Sequence, residues 1–283
     1  MFADDTTIYT ANTDIEAISE SMNTAIVKLT SWLNRNKLVL NVKKTKLLLI
    51  GSVQRLKQLT GSPAVSISGQ TIETVDSAKI LGVEIDSNLN FQNHIDSLFK
   101  LASGKLSFIR RLKPCMPQKE LSLLFNAFIM PHLQYCLCVW SNRGKANVDK
   151  LFKIQKRAAR IITGSKWDVE STALLDSLKW TPLPEIFIHN DLVLLYKCVN
   201  NLCPAYLCNQ LSNFNEINER STRQSANGLL RLPNCKTEMY KKSFFCVAPK
   251  MWNKLTNEAR QCKSLNSFKY HLKRTNLSDL TIK

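Results

Sequence analysis

An α+β N-terminal part followed by a mainly α-helical remainder is the fold class this sequence predicts, and three observations carry it. Up to residue 90, short β-prone runs are mixed with one long stretch of helical period. From Phe91 onward apolar residues recur at steps of three and four. The charge changes at the same place: residues 1–90 hold nine basic and nine acidic side chains, whereas 91–166 hold 14 and 3, a net of +11. Residues 167–283 return to a milder excess, 16 against 10, so the organisation expected is 1–90, 91–166 and 167–283. With 44% apolar and 22% charged residues in a chain of 283, each part can bury a core.

The elements follow in order. Asp14 is placed to N-cap a helix whose apolar positions Ile15, Ile18, Met22, Ile26, Leu29 and Leu33 form one buried face. Leu38 to Lys46 read as a turn feeding a buried strand, Leu47-Leu48-Leu49-Ile50, that Gly51 ends. Val65 to Ile72 read as a hairpin about Gly69-Gln70, and Ile80 to Ile85 as a further short strand. Three helices come next. The first carries Ile95, Leu98, Ala102, Leu106 and Ile109 and ends in the run Arg110-Arg111-Leu112-Lys113 before Pro114; the second has Leu121, Leu124, Phe125 and Phe128 inside and breaks at Pro131. The third, about 147–163, buries Val148, Leu151, Ile154, Ala158, Ile161 and Ile162, with Gly164 as its C-terminal cap. Beyond Trp167 more helix is expected, a polar loop or partly disordered segment at about 212–228, and a final helical pair with Phe244, Phe245, Met251, Trp252, Phe268 and Leu272.

Several function classes are excluded. No stretch approaches the roughly 18–20 apolar residues of a membrane span, and the N-terminus lacks a basic head followed by an apolar block. The expectation is an intracellular protein, nuclear or cytoplasmic, neither secreted nor membrane-bound. There is no P-loop, no Gly-rich dinucleotide turn and no nucleophile elbow, and eight glycines leave little for cradling phosphates with backbone loops. The nine cysteines, odd in number and irregular in spacing, do not form a disulfide scaffold. His132 with Cys136 and Cys138, or Cys198 with Cys203 and Cys208, lacks paired CxxC spacing, so buried free thiols are expected rather than zinc.

Two features point to chemistry. Asp4 and Asp5 are adjacent carboxylates between Phe2-Ala3 and the β-prone Thr6-Thr7-Ile8-Tyr9, and neighbouring carboxylates at a turn are the oxygen ligands Mg²⁺ prefers. Only three residues precede them, so the incoming strand of such a hairpin is missing; the turn is either a surface accident at a frayed terminus or the back part of something longer. The second feature is the basic middle. Arg110 and Arg111 end one helix, and Lys150, Lys153, Lys156, Arg157 and Arg160 fall mostly along one side of the third. A stripe of that kind tracks phosphates or is an ordinary solvated face; the regional excess of +11 favours a polyphosphate partner. Tyr240, Lys241, Lys242, Phe244 and Phe245 could stack on unpaired bases, but core packing is the favoured role.

Taken in order, FADDTTIY, LTSWLNRNKLVLNVKKTKLLLI, KILGVEIDSNLNFQNHI, FIMPHLQYCLCVW, LFKIQKRAARIITG and the Trp252-Asn253 segment with SFKYHLK resemble the reverse transcriptase of non-LTR, LINE-like (Jockey-type) retrotransposons, over essentially the whole chain. The resemblance implies the C-terminal half of a right-hand polymerase: the back of an incomplete α+β palm, a helical thumb and a family-specific C-terminal region. On it, Asp4 matches the first metal-ligating aspartate of the catalytic Mg²⁺ pair and Asp5 its neighbour. Lys44 matches the lysine proposed to protonate the leaving pyrophosphate. Leu81 and Gly82 match the turn that grips the primer end, and the basic helices would hold RNA template and DNA primer. The motifs the family places upstream, including a further carboxylate for two-metal transfer, are absent. The expectation is therefore a reverse transcriptase fragment inactive by itself, with a non-catalytic nucleic-acid-binding remnant as the alternative.

Overall fold

The computed structural model describes residues 5–59, 61, 63–141, 144–211 and 228–280. The chain separates into two compact units, Met1–Asn90 and Phe91–Lys283. Asp4 and most of the polar 212–228 segment lie outside the described residues.

The first unit is α+β. Helix α1 (Ile15–Arg35) starts where expected: the Asp14 carboxylate accepts from the N–H groups of Glu16 and Ala17. It ends at Lys37, held at φ 57°, with Leu38 N–H donating to the Leu33 carbonyl at 2.9 Å and Lys37 N–H to Asn34. That is a Schellman closure with lysine where glycine is usual. A 3₁₀ turn, Val42–Lys44, leads into β1 (Lys46–Leu48), which pairs in parallel with β4 (Glu73–Val75). Between them lie α2 (Val53–Gln58) and the β2 (Ser66–Ile67) to β3 (Gln70–Thr71) hairpin. β5 (Ser77–Ile80) and β6 (Val83–Asp86) then form a second hairpin.

Both hairpins turn on two residues with positive φ, Ser68-Gly69 (49° and 82°) and Leu81-Gly82 (46° and 86°), the sign pattern of type I′ turns that matches strand twist. Two expectations are corrected here. The buried strand proposed for Leu47–Ile50 lies one residue earlier and is only half-buried, with Ile50 47% exposed, because its partner β4 supplies just three residues of ladder. The stretch Ile80–Ile85 is two strands and a turn, because Leu81 takes a left-handed conformation that the sequence does not advertise. The unit's small core is Ile26 of α1 on Val65, Ile67 and Ile72. Asn23, one turn before Ile26, fastens it: its side-chain amide donates to the Ala64 carbonyl at 2.8 Å and accepts from Ser66 N–H at 3.1 Å.

The second unit is helical. α3 (Gln92–Leu112) is followed by α4 (Gln118–Phe128), α5 (Met130–Gln134), α6 (Leu137–Trp140), α7 (Lys145–Thr163), α8 (Ser171–Ser177), α9 (Leu183–Val199) and α10 (Ala205–Cys208). After residue 228 come α11 (Glu238–Lys241), α12 (Phe244–Asn253), α13 (Asn257–Arg260), α14 (Leu265–Arg274) and a 3₁₀ turn, Leu277–Leu280. The apolar steps of α3 and α7 are buried as expected at Ile95, Ala102, Leu106, Ile109, Leu151, Ile154, Ala158 and Ile162. Phe128 is not; it is 57% exposed, since α4 ends there and Pro131 opens a new short helix in another direction. α9 is apolar on most sides and sits centrally, with α6, α7, α12 and α14 packed on it. Gln155 locks α7 to its start, donating to the Thr181 carbonyl at 2.9 Å and accepting from Leu183 N–H at 2.8 Å. Near the C-terminus Tyr196, Trp252 and Phe268 form an aromatic cluster.

Seven described cysteines are free, and two of them, Cys115 and Cys136, are exposed rather than buried. Cys235 and Cys246 are joined as a disulfide, a pairing that their spacing gave no reason to expect. No described helix is long and apolar enough to cross a membrane.

Candidate nucleic-acid interface

The basic helices α3 and α7 pack side by side in the same direction. At one end Lys150 of α7 pairs with Asp96 of α3, and at the other a Cβ added to Gly164 would fall 2.7 Å from Lys113 Nζ. Phe99 of α3 lies between, under Lys150 (5.3 Å from Nζ to the ring centroid) and Arg157 (6.0 Å). Gly164, in the left-handed region at φ 76°, ends α7 as the sequence predicts.

Within this frame the seven candidate cations have different surroundings. Lys153 and Arg157 are exposed, Arg157 at the seam with α3 where it lies over Phe99. Lys156 is half-buried over the Phe152 ring, 4.3 Å from its centroid. Lys150 neutralises Asp96, whose carboxyl is held below its ordinary range by that ammonium, against its own desolvation and with help from the Gln92 amide. Arg160 donates to the Val169 carbonyl at 3.3 Å and so braces the segment after α7. Arg110 and Arg111 are exposed in the last turn of α3, at the same end of the helix pair as Arg160, where cations also complement the helix dipole. The stripe therefore divides: Lys153, Arg157, Arg110 and Arg111 face solvent, while Lys150 and Arg160 are engaged within the fold.

On the opposite flank of α3, Lys105 donates to the Phe128 carbonyl at 3.0 Å and meets His132 Nε2. Burial and that lysine push the His132 pKa down. Beside them Gly104, Phe108, Ile109, Leu124 and Phe128 line a groove of about 370 Å³.

The remaining candidates lie in the first unit and are not gathered by any described contact. Lys44 ends the 3₁₀ turn and is exposed. Leu81 and Gly82 form the exposed tip of the β5–β6 hairpin. Asp5 is exposed, and among the described residues no group of three His, Cys, Asp or Glu side chains stands where it could hold a metal ion. Asp4, the other half of that carboxylate pair, lies outside the described residues. Of the residues weighed for base stacking at 240–245, Phe244 is buried with Phe245 edge-on at 5.2 Å and Lys241 pairs with Glu238, whereas Tyr240 is exposed. Asn253, quoted above only as part of a motif, clamps Leu230 through both its N–H (2.9 Å) and its carbonyl (2.8 Å), while Trp252 Nε1 donates to Gly228.

No family model matches the chain, and no solved structure gives a significant match. Among curated proteins it is 25% identical over 186 residues to the RNA-directed DNA polymerase from mobile element jockey of Drosophila melanogaster, covering 63% of this chain and 19% of that protein. It is also 25% identical over 195 residues to the probable RNA-directed DNA polymerase from transposon X-element (67% and 21%) and 26% over 178 residues to that from transposon BS (61% and 19%), both from the same species. The chain spans about a fifth of the length of these relatives. Motif order and these alignments agree: the chain is similar in sequence to the reverse transcriptases of non-LTR retrotransposons of the jockey kind.

Proposed function

We propose that this chain is a portion of a retrotransposon reverse transcriptase in which α3 and α7 form a thumb that holds the RNA template and DNA primer. The observation that carries the proposal is the parallel α3/α7 pair with Lys153, Arg157, Arg110 and Arg111 facing solvent, in a region with a net charge of +11. Polyphosphate binding by such a face is driven by counterion release and carries no sequence preference of its own. In the parent polymerase Asp4 and Asp5 would belong to the two-metal centre, Lys44 would protonate pyrophosphate, and the Leu81-Gly82 tip would press on the primer end.

The test is an RNA/DNA duplex titrated against the purified chain over a range of salt. The log K against log salt slope is expected to be several units, and Lys153→Glu with Arg157→Glu should lower it by about one per residue. A flat slope, or one the double variant leaves unchanged, refutes the thumb assignment. By itself the chain is expected to incorporate no dNTP; template-dependent incorporation abolished by Asp4→Asn would overturn that expectation and separate a working polymerase from a binding remnant.

A further inference from the structure

A second cationic face lies in the second unit on α14, which packs on α9, and nothing in the thumb assignment uses it. α14 puts its apolar side inward: Phe268 and Leu272 are fully buried, with Phe268 stacked on Tyr196 of α9 at 4.5 Å. Helical geometry then turns Tyr270, Lys273 and Arg274 outward, with Lys269 half-buried at the edge of the same face. From Lys263 to Asn276 the sequence has no acidic residue. Lys269 and Lys273, one turn apart, both act on His189 of α9, whose imidazole is held below its ordinary pKa by burial first and by these two ammonium groups next. Tyr270 is 58% exposed. Arg274 docks beside it, donating to the phenol oxygen at 2.9 Å with its guanidinium 5.5 Å from the ring centroid. The ion pairs among the described residues, Lys46–Glu73, Lys150–Asp96 and Lys241–Glu238, include none of these groups. The acids on the same elements are Glu185 and the buried Asp191 of α9 and, in the following 3₁₀ turn, the exposed Asp279.

We infer that this α9/α14 face binds single-stranded nucleic acid, with backbone phosphates on Lys269, Lys273 and His189 and an unpaired base on the Tyr270–Arg274 platform. A membrane surface fits less well, because an interfacial helix needs its apolar side free and that of α14 is consumed by the core. A duplex fits less well, because it offers no open base face to an exposed tyrosine. Electropositive repulsion between Lys269 and Lys273 is relieved when a phosphate arrives, and the neutral His189 imidazole beside them can then take up a proton, which gives the site a preference for polyanions.

The test uses the full chain carrying Lys153→Glu and Arg157→Glu, so that failure of the thumb assignment does not mask the result, and a fluorescein-labelled oligouridylate followed by anisotropy. Binding is expected to persist. Lys269→Gln with Lys273→Gln should reduce the salt slope by about 1.4, at about 0.7 per charge for a single strand. Tyr270→Ala should weaken binding about tenfold, and Tyr270→Trp should restore it. Tyr270 and Lys273 are exposed and Lys269 is half-buried, so the variants are expected to keep the parent's unfolding midpoint to within a few degrees, and Lys273→Gln alone repeats the test at an exposed position. As an independent readout, the His189 imidazole pKa followed by NMR should rise when the oligonucleotide binds. Unchanged affinity and slope in the lysine variant overturn the inference, as does equal competition by a blunt duplex. So does binding to phosphatidylserine vesicles with none to the oligonucleotide.

Discussion

At the scale of single residues, three side-chain amides do work that hydrophobic contacts cannot. Asn23, Gln155 and Asn253 each bind a donor and an acceptor of a passing main chain, imitating one rung of a sheet where no strand is available. Backbone groups that leave secondary structure inside a core must find such partners or lose their hydration without return. Gln155 is the most demanding case, 2% exposed and bonded to the chain entering α9. Gln155→Leu preserves bulk but strands the Leu183 N–H and the Thr181 carbonyl, at roughly 1–3 kcal/mol each, so a loss of about 2–4 kcal/mol is expected. Urea unfolding measures it as a lowered midpoint at constant slope. Asn23→Ala, at a more exposed site, should cost clearly less.

At the scale of elements, the helix ends explain both what sequence reading captured and what it missed. The apolar steps of α3 and α7 and the Asp14 and Gly164 caps follow directly from period and residue type, and so do the cations placed on α3 and α7. The fully buried face expected of α1 is corrected, since only Ile26 is buried and Ile15, Ile18, Met22, Leu29 and Leu33 are half-buried over a small core. Three other helix ends were not legible. α1, α8 and α9 close with paired Schellman bonds around Lys37 (φ 57°), Lys179 (54°) and Asn201 (54°). Two of these three are lysines, residues that carry no left-handed signal. The residue pattern likewise read Ile80–Ile85 as one strand, the Leu81-Gly82 turn entering only through the resemblance, and β4 was missed because a three-residue strand has no period to read. Which cations of the stripe stay available was equally hidden: it depends on Asp96, 54 positions before Lys150, and on the carbonyl of Val169. A testable consequence follows for the lysine-capped ends. Lys37 and Lys179 are exposed, so their side chains contribute little packing while their Cβ atoms oppose positive φ. Lys37→Gly and Lys179→Gly should each stabilise the protein by about 0.5–1 kcal/mol after the added entropy of the unfolded chain is subtracted. Thermal melts of the two variants check this, and a drop in melting temperature for either would mean that its side chain makes a contact worth more than the strain.

At the scale of the whole molecule, a net charge of +17 is spread unevenly, and the described groups with displaced pKa values sit in the second unit, four of them (Asp96, His132, His189 and Glu238) beside lysines. His132 lies against Lys105, and His189 against Lys269 and Lys273; burial leads in both cases and both imidazoles are pushed down. A histidine with a lowered folded pKa is neutral in the native state while the unfolded chain already takes up protons near pH 6.5. The unfolded state then binds more protons, so stability is complete above that pH and falls as the pH drops from there toward the folded value. Glu185 has the opposite sign: burial first and Asp176 next raise its pKa, so its ionisation costs stability as pH rises from the ordinary glutamate range. Asp96, lowered by Lys150, loses its contribution only at more acid pH, as it passes through its folded pKa. Between about pH 5 and 7 the histidines and Glu185 therefore oppose each other, and the total slope is a poor test of either. The difference between the parent and His189→Gln isolates one group. Gln keeps a polar side chain at the site and removes the proton uptake, so the variant's melting temperature should fall less than the parent's between pH 7.5 and about 5.5, with the two curves parallel above about pH 7. Parallel curves throughout would mean that His189 titrates alike in the folded and unfolded chain, and that the ammonium groups of α14 exert no net field on α9.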